Sequence, residues 1–157
     1  MNDPNKRNLV LLLHPGKVTN WLWEQNFPHM PFESLYLARF LESNGFEVAI
    51  IDQRVEEDWE ARLRRLMDRI LWVGLTIITG PQVGDALAAS KAIREIDPDI
   101  PIVWGGWHPT FLSEQSVTHP LVDYVIAGIG ETKALRLSQF LSQGDAEALN
   151  CEGILYK

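Results

Sequence analysis

The chain has 157 residues, of which 46% are hydrophobic, and this length and composition predict one domain with a sizeable core. Its formal net charge of −7 at pH 7 argues against a nucleic-acid surface, because such a surface normally carries a basic patch. No apolar run approaches the roughly 20 residues of a membrane span, and the polar start lacks a signal-type core, so we expect a cytoplasmic protein without membrane contact.

Strands and helices alternate along the chain. Continuous apolar runs predict strands at residues 9–13, 46–51, 71–78, 102–104 and 122–127. Apolar residues at helical spacing predict helices around residues 35–41, 59–70, 83–96 and 135–141. Gly45 stands where a left-handed cap would end the first helix, and Asp97-Pro98 ends the third.

This order of elements predicts the fold class. Strands and helices of these lengths favour an α/β fold with a parallel sheet covered on both faces. We expect a single Rossmann-like (flavodoxin-like) domain over residues 1–150, with a doubly wound five-stranded parallel sheet of order 2-1-3-4-5. Residues 151–157 are interpreted as a linker, as the start of a further domain, or as a short additional strand at 154–156.

The ligand crevice of such a sheet lies at the carboxyl ends of its strands, where the strand order reverses. The loops that begin at His14, Thr79, Gly105 and Gly128 therefore form the candidate site. Gly105 and Gly106 directly follow a short apolar strand, and two missing Cβ atoms would let a bulky ligand lie against the backbone. The alternative is that the two glycines only make a tight turn.

Other α/β binding motifs do not match these loops. His14-Pro15-Gly16-Lys17-Val18 lacks the Gly-Lys-Ser/Thr of a phosphate-binding loop and the phosphate cradle of a flavin nucleotide site. The third strand ends in Thr76-Ile77-Ile78-Thr79, without the aspartate of a phospho-receiver domain, and Gly128-Ile129-Gly130 lacks the third glycine of a dinucleotide fingerprint. No acid–base pair or nucleophile–base arrangement stands out, so the domain is predicted to bind rather than to transform its ligand.

Three segments, taken together, carry a resemblance to a known family. They are residues 73–80 (Val-Gly-Leu-Thr-Ile-Ile-Thr-Gly), 104–110 (Trp-Gly-Gly-Trp-His-Pro-Thr) and 122–131 (Val-Asp-Tyr-Val-Ile-Ala-Gly-Ile-Gly-Glu). In order and spacing they are similar to the amino-terminal cobalamin-binding domains of cobalamin-dependent radical S-adenosylmethionine enzymes. The resemblance extends from Leu9 to about Tyr156.

The resemblance implies a site in which the corrin lies over the carboxyl edge of the sheet and its nucleotide tail enters a slot beside the strands. The cofactor-binding residues that it implies are Thr76, Ile78, Thr79, Gly80, Gln82, Gly105, Gly106, Trp107, His108, Pro109, Gly128, Gly130 and Glu131. Thr76 would hydrogen-bond the base of the tail, or it is an ordinary β-branched strand residue. Because Gly106 is expected to leave room for the tail in a loop, Gly106→Leu is expected to abolish uptake of cobalamin with the fold intact.

His14 is a possible cobalt ligand, because many methyl-carrying cobalamin domains place an Asp-x-His-x-x-Gly motif after the first strand. Here no aspartate stands two residues before His14 to fix its tautomer. His108 is expected to order its loop or to contact the edge of the corrin, and His29 and His119 are interpreted as surface or loop residues.

Two of the six tryptophans, Trp59 and Trp72, are predicted to be core residues. Trp21 and Trp23 lie in a long loop after the first strand, and loops of this length are usually functional. These two side chains would either shield a corrin face from water or pack against a neighbouring domain or a minor core.

The cysteine content limits what the chain does by itself. One cysteine, Cys151, cannot hold the [4Fe-4S] cluster that cleaves S-adenosylmethionine. The resemblance therefore implies a cobalamin-binding module that is not catalytic alone and presents its cofactor to a radical S-adenosylmethionine domain, in cis or in trans, for methyl transfer. The cluster and S-adenosylmethionine would belong to that second domain. The alternatives are a stand-alone cobalamin carrier or sensor, and a ligand-free protein-interaction domain.

Overall fold

A computed structural model of the protein describes residues 7–16 and 30–157. The predictions for Trp21, Trp23 and His29 lie outside the described residues. The strands are β1 (Leu9–His14), β2 (Glu47–Asp52), β3 (Ile70–Thr76), β4 (Ile102–Gly105), β5 (Tyr124–Ile126) and β6 (Ile154–Tyr156). The helices are α1 (Phe32–Ser43), α2 (Trp59–Leu66), α3 (Gln82–Ile96), α4 (Trp107–Phe111), α5 (Ser113–Val117) and α6 (Glu131–Gln143), with short 3-10 turns at Met67–Arg69 and Ala146–Leu149.

The sheet has the strand order β2-β1-β3-β4-β5-β6. The α/β Rossmann-like class is confirmed, and the first five strands are parallel in the predicted order. The prediction of a purely parallel, five-stranded sheet is wrong by one strand, because β6 pairs antiparallel with β5. Gly153 has φ 88 and its carbonyl accepts from the Ala127 amide at 2.8 Å, so the chain turns back onto the edge of β5.

The two faces of the sheet carry separate hydrophobic cores, as doubly wound folds require. Side chains alternate along each strand, so Leu11 and Leu13 of β1 face α2 and α3, whereas Val10 and Leu12 face α1 and α6. All four side chains are buried. The second face matters for the site, because α1 and α6 cover it only in part at its carboxyl end.

The buried tryptophans have partners for their indole N–H groups. Trp59 and Trp72 are core residues, as predicted. Trp72 Nε1 donates to Ser138 Oγ on α6 at 2.9 Å, and on the other face Trp104 Nε1 donates to Ser90 Oγ on α3 at 3.1 Å. Burial of these rings therefore leaves neither N–H group unsatisfied.

Asp123 fixes the amino-terminal edge of the sheet. Its carboxylate accepts from the Ile102 amide at 2.8 Å and from Arg94 Nη2 at 2.6 Å, while its own amide donates to the Ile102 carbonyl at 2.9 Å. Arg94 also donates to the carbonyls of Pro98 and Ile100. These bonds lie at the opposite end of β4 from Gly105 and Gly106. Asp123, although it belongs to one of the three segments that carry the resemblance, therefore has a structural function.

Two short helices, α4 and α5, were not predicted from the sequence. They occupy residues 107–117, where no apolar stripe is long enough to indicate a helix. The final helix ends at Gly144, which has the left-handed φ of 74 that such caps favour. Among the described residues, no helix is long and apolar enough to cross a lipid bilayer.

Candidate functional site

A cavity of about 760 Å³ opens at the carboxyl edge of the sheet and extends between the sheet and α1. We call it the slot. Its floor consists of sheet residues that face α1 and α6, namely Leu12, Trp72, Gly74, Val103 and Ile126. Its walls are the first two turns of α1 and the loop at residues 128–131 that leads into α6. The sheet thus presents a mainly apolar floor to this open space.

Gly105 leaves the slot open. It follows Val103 on the same face of β4, and a Cβ atom built at Gly105 would meet nothing closer than the Ile126 carbonyl oxygen at 3.8 Å. A larger side chain here would therefore enter the slot rather than the protein core.

Gly106 has a different function from the one that the sequence predicts. Its φ of 93 is a conformation that disfavours other residues, and a Cβ atom would lie 2.8 Å from the backbone nitrogen and oxygen of Ile77. The expectation that Gly106→Leu leaves the fold intact is wrong, because that substitution forces the loops after β3 and β4 apart. Gly106 lets those loops approach, and Gly105 provides the free space.

Two threonines near the mouth of the slot, Thr76 and Thr110, differ in their hydrogen bonding. Thr76 ends β3, lines the slot, and has no hydrogen-bonded partner for its hydroxyl among the described residues. Thr110 has two partners: its hydroxyl donates to the Gly106 carbonyl at 2.7 Å and accepts from the Gly128 amide at 2.9 Å. The hydroxyl of Thr76 is thus available to a ligand, whereas that of Thr110 joins the loops after β4 and β5.

A second cavity of about 500 Å³, which we call the edge cavity, adjoins the slot. The two cavities share five lining residues: Glu33, Thr76, Gly106, Gly128 and Ile129. Its polar side chains include those of His14, Glu33, Gln82 and Thr110. Its apolar side chains are unusually exposed for their size: Ile78 is 56%, Trp107 65% and Ile129 81% accessible.

Gln82 fixes the orientation of His14. The Ile78 amide donates to Gln82 Oε1 at 2.7 Å, so the other end of the side-chain amide is the donor. That Nε2 donates to the Pro15 carbonyl at 3.1 Å and lies 3.3 Å from His14 Nε2. His14 Nε2 is then the acceptor, and its proton resides on Nδ1.

His14 Nδ1 faces Glu33 on α1. The nitrogen is buried, lies 3.4 Å from Glu33 Oε1 outside good hydrogen-bond geometry, and has no other partner in the described part of the chain. The neighbouring His14 lowers the pKa of Glu33, against partial burial, which raises it. The carboxylate that faces His14 Nδ1 therefore comes from Glu33 on α1, and not from the position two residues before His14 on β1, which is Leu12.

His108 lies in α4 and contacts the loop after β3. Its amide donates to the Ile77 carbonyl at 3.0 Å, and its Nδ1 lies 3.2 Å from Thr79 Oγ1. On the outside of α4, Trp107 stacks on Phe111 with ring centroids 5.9 Å apart, and both rings are exposed. His119, predicted to be a surface or loop residue, is half-buried and stacks on Trp104 at 6.3 Å.

The amino terminus of α6 borders the slot. Gly128 (φ 75) and Gly130 precede the helix, and the Gly130 carbonyl accepts the Ala134 amide in its first turn. Lys133 donates to the Ala127 carbonyl. Free amides at a helix amino terminus favour an anionic group, and the lysine adds positive charge nearby.

The structure brings most of the predicted residues together. Those that line the slot or the edge cavity are His14, Thr76, Ile78, Gln82, Gly105, Gly106, Trp107, Gly128, Gly130 and Glu131. The remaining four line neither cavity: Thr79 and Gly80 lie in the loop after β3, and His108 and Pro109 lie in α4. Within the described ranges, no three His, Cys, Asp or Glu side chains gather as a metal site.

Sequence reasoning missed Glu33, Trp72, Gly74 and Val103. Trp72 and Gly74 carry a signal that could have been used, since they alternate with Thr76 and must share its face of the sheet. No comparable signal marks Glu33, which reaches the site from a helix across the crevice.

Comparisons with known proteins define the class to which this fold and site belong. Residues 25–137 match the family model of the B12 binding domain, and the chain therefore belongs to the B12-binding domain family. It is 33% identical over 154 residues to the anaerobic magnesium-protoporphyrin IX monomethyl ester cyclase of Rubrivivax gelatinosus, with 94% of this chain and 27% of that protein covered.

Solved structures give the same result. The radical S-adenosylmethionine methyltransferase TsrM from Kitasatospora setae, with cobalamin and a [4Fe-4S] cluster bound, superimposes with a TM-score of 0.69 at 26% identity, over 95% of this chain and 27% of that chain. TsrM with tryptophan substrate and the S-adenosylmethionine analogue aza-SAM matches equally well. This chain spans about a quarter of the length of these relatives. The predicted resemblance to the cobalamin module of radical S-adenosylmethionine enzymes is confirmed.

Proposed function

We propose that this domain binds cobalamin at the carboxyl edge of its sheet, with the nucleotide tail in the slot and the corrin over the edge cavity. The observation that carries the proposal is a mainly apolar slot that opens beside Thr76 and Gly105 and adjoins a second, exposed cavity. When bound, cobalamin would supply a cobalt centre that can carry a methyl group.

The slot fits a flat aromatic base. Its floor is apolar, Gly105 adds no side chain to it, and the Thr76 hydroxyl at its rim is free to bond a ring nitrogen. Thr76 is then more than a β-branched strand residue. The phosphate of the tail would lie near Gly128 and Gly130, where the amino terminus of α6 stabilises an anion.

The edge cavity fits the corrin. Ile78, Trp107 and Ile129 present apolar surface to solvent around it, and a cluster of this kind usually marks a binding surface. A corrin lying there would bury all three side chains. Thr79, Gly80 and Pro109 would then border the ring without entering either cavity, and His108 would hold their loops in place.

His14 remains a candidate cobalt ligand only if Gln82 releases it. The lone pair on His14 Nε2 that would bind cobalt is used by the Gln82 amide at 3.3 Å. With that bond intact, the histidine supports the edge cavity from below, and cobalt has no ligand from the β1 loop.

The partner that we propose is a radical S-adenosylmethionine domain, in cis or in trans, and the reaction of the assembled protein is methyl transfer. The relatives support this proposal, since TsrM is a radical S-adenosylmethionine methyltransferase. The [4Fe-4S] cluster and S-adenosylmethionine would be bound by the partner domain. A stand-alone carrier or sensor would use the same cobalamin site without such a partner.

Cobalamin binding is tested with the purified protein and hydroxocobalamin. We expect cobalamin to co-elute with the protein in gel filtration and its visible spectrum to shift. Gly105→Leu, which fills the slot, is expected to elute without cobalamin while its circular dichroism matches that of the unaltered protein. Loss of all cobalamin from the unaltered protein during gel filtration would contradict the proposal.

The presence of a radical S-adenosylmethionine domain is tested in the genome of origin. We expect a Cys-x-x-x-Cys-x-x-Cys motif to follow Lys157 in the same reading frame, or to occur in an adjacent gene whose product co-purifies with this domain. Cobalamin binding without such a motif in either place would instead establish the carrier or sensor.

A further inference from the structure

The floor of the slot offers no free polar group. Leu12, Val103 and Ile126 are aliphatic, and the Trp72 indole N–H is already bonded to Ser138 Oγ at 2.9 Å. Ser138 in turn donates to the Ala134 carbonyl at 2.7 Å. The only polar atom that the Trp72 side chain could have offered is therefore directed away from a ligand.

Gly74 holds the Trp72 ring in the floor. A Cβ atom at Gly74 would lie 2.6 Å from Trp72 Cζ3 and 3.3 Å from Leu12 Cδ2. The ring therefore covers the position that a side chain at 74 would occupy. The tryptophan is only 1% exposed and packs as part of the core, so it cannot turn aside to accommodate a polar group.

The polar side chains of the slot lie away from its floor. Glu33, Tyr36 and Arg39 are on the solvent-exposed part of α1, half-buried Glu131 begins α6, and Thr76 is at the rim. A base that enters the slot can thus bond through the ring nitrogen nearest the rim. Any polar group on its inner edge would meet hydrocarbon.

From this arrangement we propose that the slot selects among cobamides by their tail base. It favours a base with a hydrocarbon edge, such as dimethylbenzimidazole, over adenine, whose exocyclic amine and pyrimidine nitrogens would be buried without partners. This inference rests on the proposed function, since it assumes that the tail occupies the slot. The determinants are Trp72 and Val103.

Binding of three corrinoids to the purified protein tests the inference. Cobalamin, its adenine analogue, and cobinamide, which lacks the nucleotide, are titrated and followed by visible absorption and equilibrium dialysis. We expect cobalamin to bind at least about tenfold more tightly than the adenine analogue, because an unpaired buried polar group typically costs that much. Cobinamide is expected to bind more weakly than cobalamin.

A matched pair of variants locates the selectivity. Val103→Thr adds a hydroxyl to the floor, and is expected to narrow the preference for cobalamin over the adenine analogue about threefold or more. Val125→Thr makes the same change at a buried valine on the opposite face of the sheet, and is expected to leave the preference unaltered.

The outcomes distinguish this inference from the proposed function. Equal affinity for cobalamin and the adenine analogue, or equal effects of the two valine variants, would overturn the inference while cobalamin binding stands. Failure of the unaltered protein to bind any of the three corrinoids would overturn both.

Discussion

Two substitutions, Gly105→Val and Gly106→Ala, distinguish an effect on cobalamin binding from an effect on folding stability. The two glycines are adjacent, but a side chain at Gly105 enters the slot, whereas one at Gly106 meets the backbone of Ile77 at 2.8 Å. Gly105→Val is therefore expected to weaken cobalamin binding and to change stability little. Gly106→Ala is expected to lower stability first.

The magnitudes follow from these contacts. Overpacking a filled site typically costs about 1–3 kcal/mol, so Gly105→Val is expected to bind cobalamin about five- to a hundredfold more weakly. Gly106→Ala places a Cβ atom at φ 93, which costs about 1–3 kcal/mol before the clash is added. At about 2–4 °C per kcal/mol for a domain of this size, its melting temperature is expected to fall by roughly 2–12 °C.

Thermal unfolding of the ligand-free variants measures the stability effect, and titration with hydroxocobalamin measures affinity. Cobalamin affinity of Gly105→Val equal to that of the unaltered protein would refute the placement of the tail in the slot. If Gly106→Ala unfolded at the same temperature as the unaltered protein, the steric function assigned to Gly106 would be wrong.

Three further predictions concern residues around the site and the sheet. Gln82→Ala frees His14 Nε2, so the electron paramagnetic resonance spectrum of the Co(II) form is expected to gain nitrogen splitting that the unaltered protein lacks. Asp123→Ala removes the acceptor at the start of β4 and is expected to reduce the free energy of unfolding by about 1.5–3 kcal/mol in urea titrations. Burial raises the pKa of Asp52, but hydrogen bonds from Arg54 outweigh this and lower it below 3.8; its contribution to stability is therefore present above that pH and lost on further acidification.

Each of these predictions has a contrary result. Nitrogen splitting from His14 already present in the unaltered protein would show that Gln82 does not withhold the histidine. An Asp123→Ala variant as stable as the unaltered protein would contradict the structural function assigned to Asp123. Asp52→Asn is expected to flatten the loss of stability on acidification below the ordinary carboxyl pKa of 3.8, and an unchanged curve would contradict the lowered pKa of Asp52.

The sequence predicted the fold well where hydrophobic periodicity is long. The first five strands follow the predicted order because each is a continuous apolar run between helices with clear stripes. The sixth strand was only one of the interpretations of residues 154–156, since three residues carry too little pattern to indicate a direction of pairing. The short helices α4 and α5 were missed for the same reason.

The sequence predicted which loops form the site, but not the contacts between elements that are distant in the chain. Glycine and threonine positions near strand ends follow from topology: Thr76, Gly105, Gly106, Gly128 and Gly130 line the cavities, whereas Thr79 and Gly80 do not. Contacts between distant elements do not follow from spacing. The approach of Glu33 to His14, and the contacts of Gln82 with Ile78, Pro15 and His14, could therefore not be predicted from the sequence. The two functions of Gly105 and Gly106 also depend on the position of Ile77, which only coordinates reveal.

The Thr110 hydroxyl links the loops after β4 and β5 through its bonds to Gly106 and to Gly128, which is eighteen residues further along the chain. Neither the Gly106 carbonyl nor the Gly128 amide can move outward without losing its hydrogen bond to the Thr110 hydroxyl. Widening of the entrance for a macrocycle is therefore easier on the side of α1. Deuterium exchange at the Gly128 amide would report the joint opening of the loops after β4 and β5. The degree of protection of this amide would measure the stability of that side of the entrance.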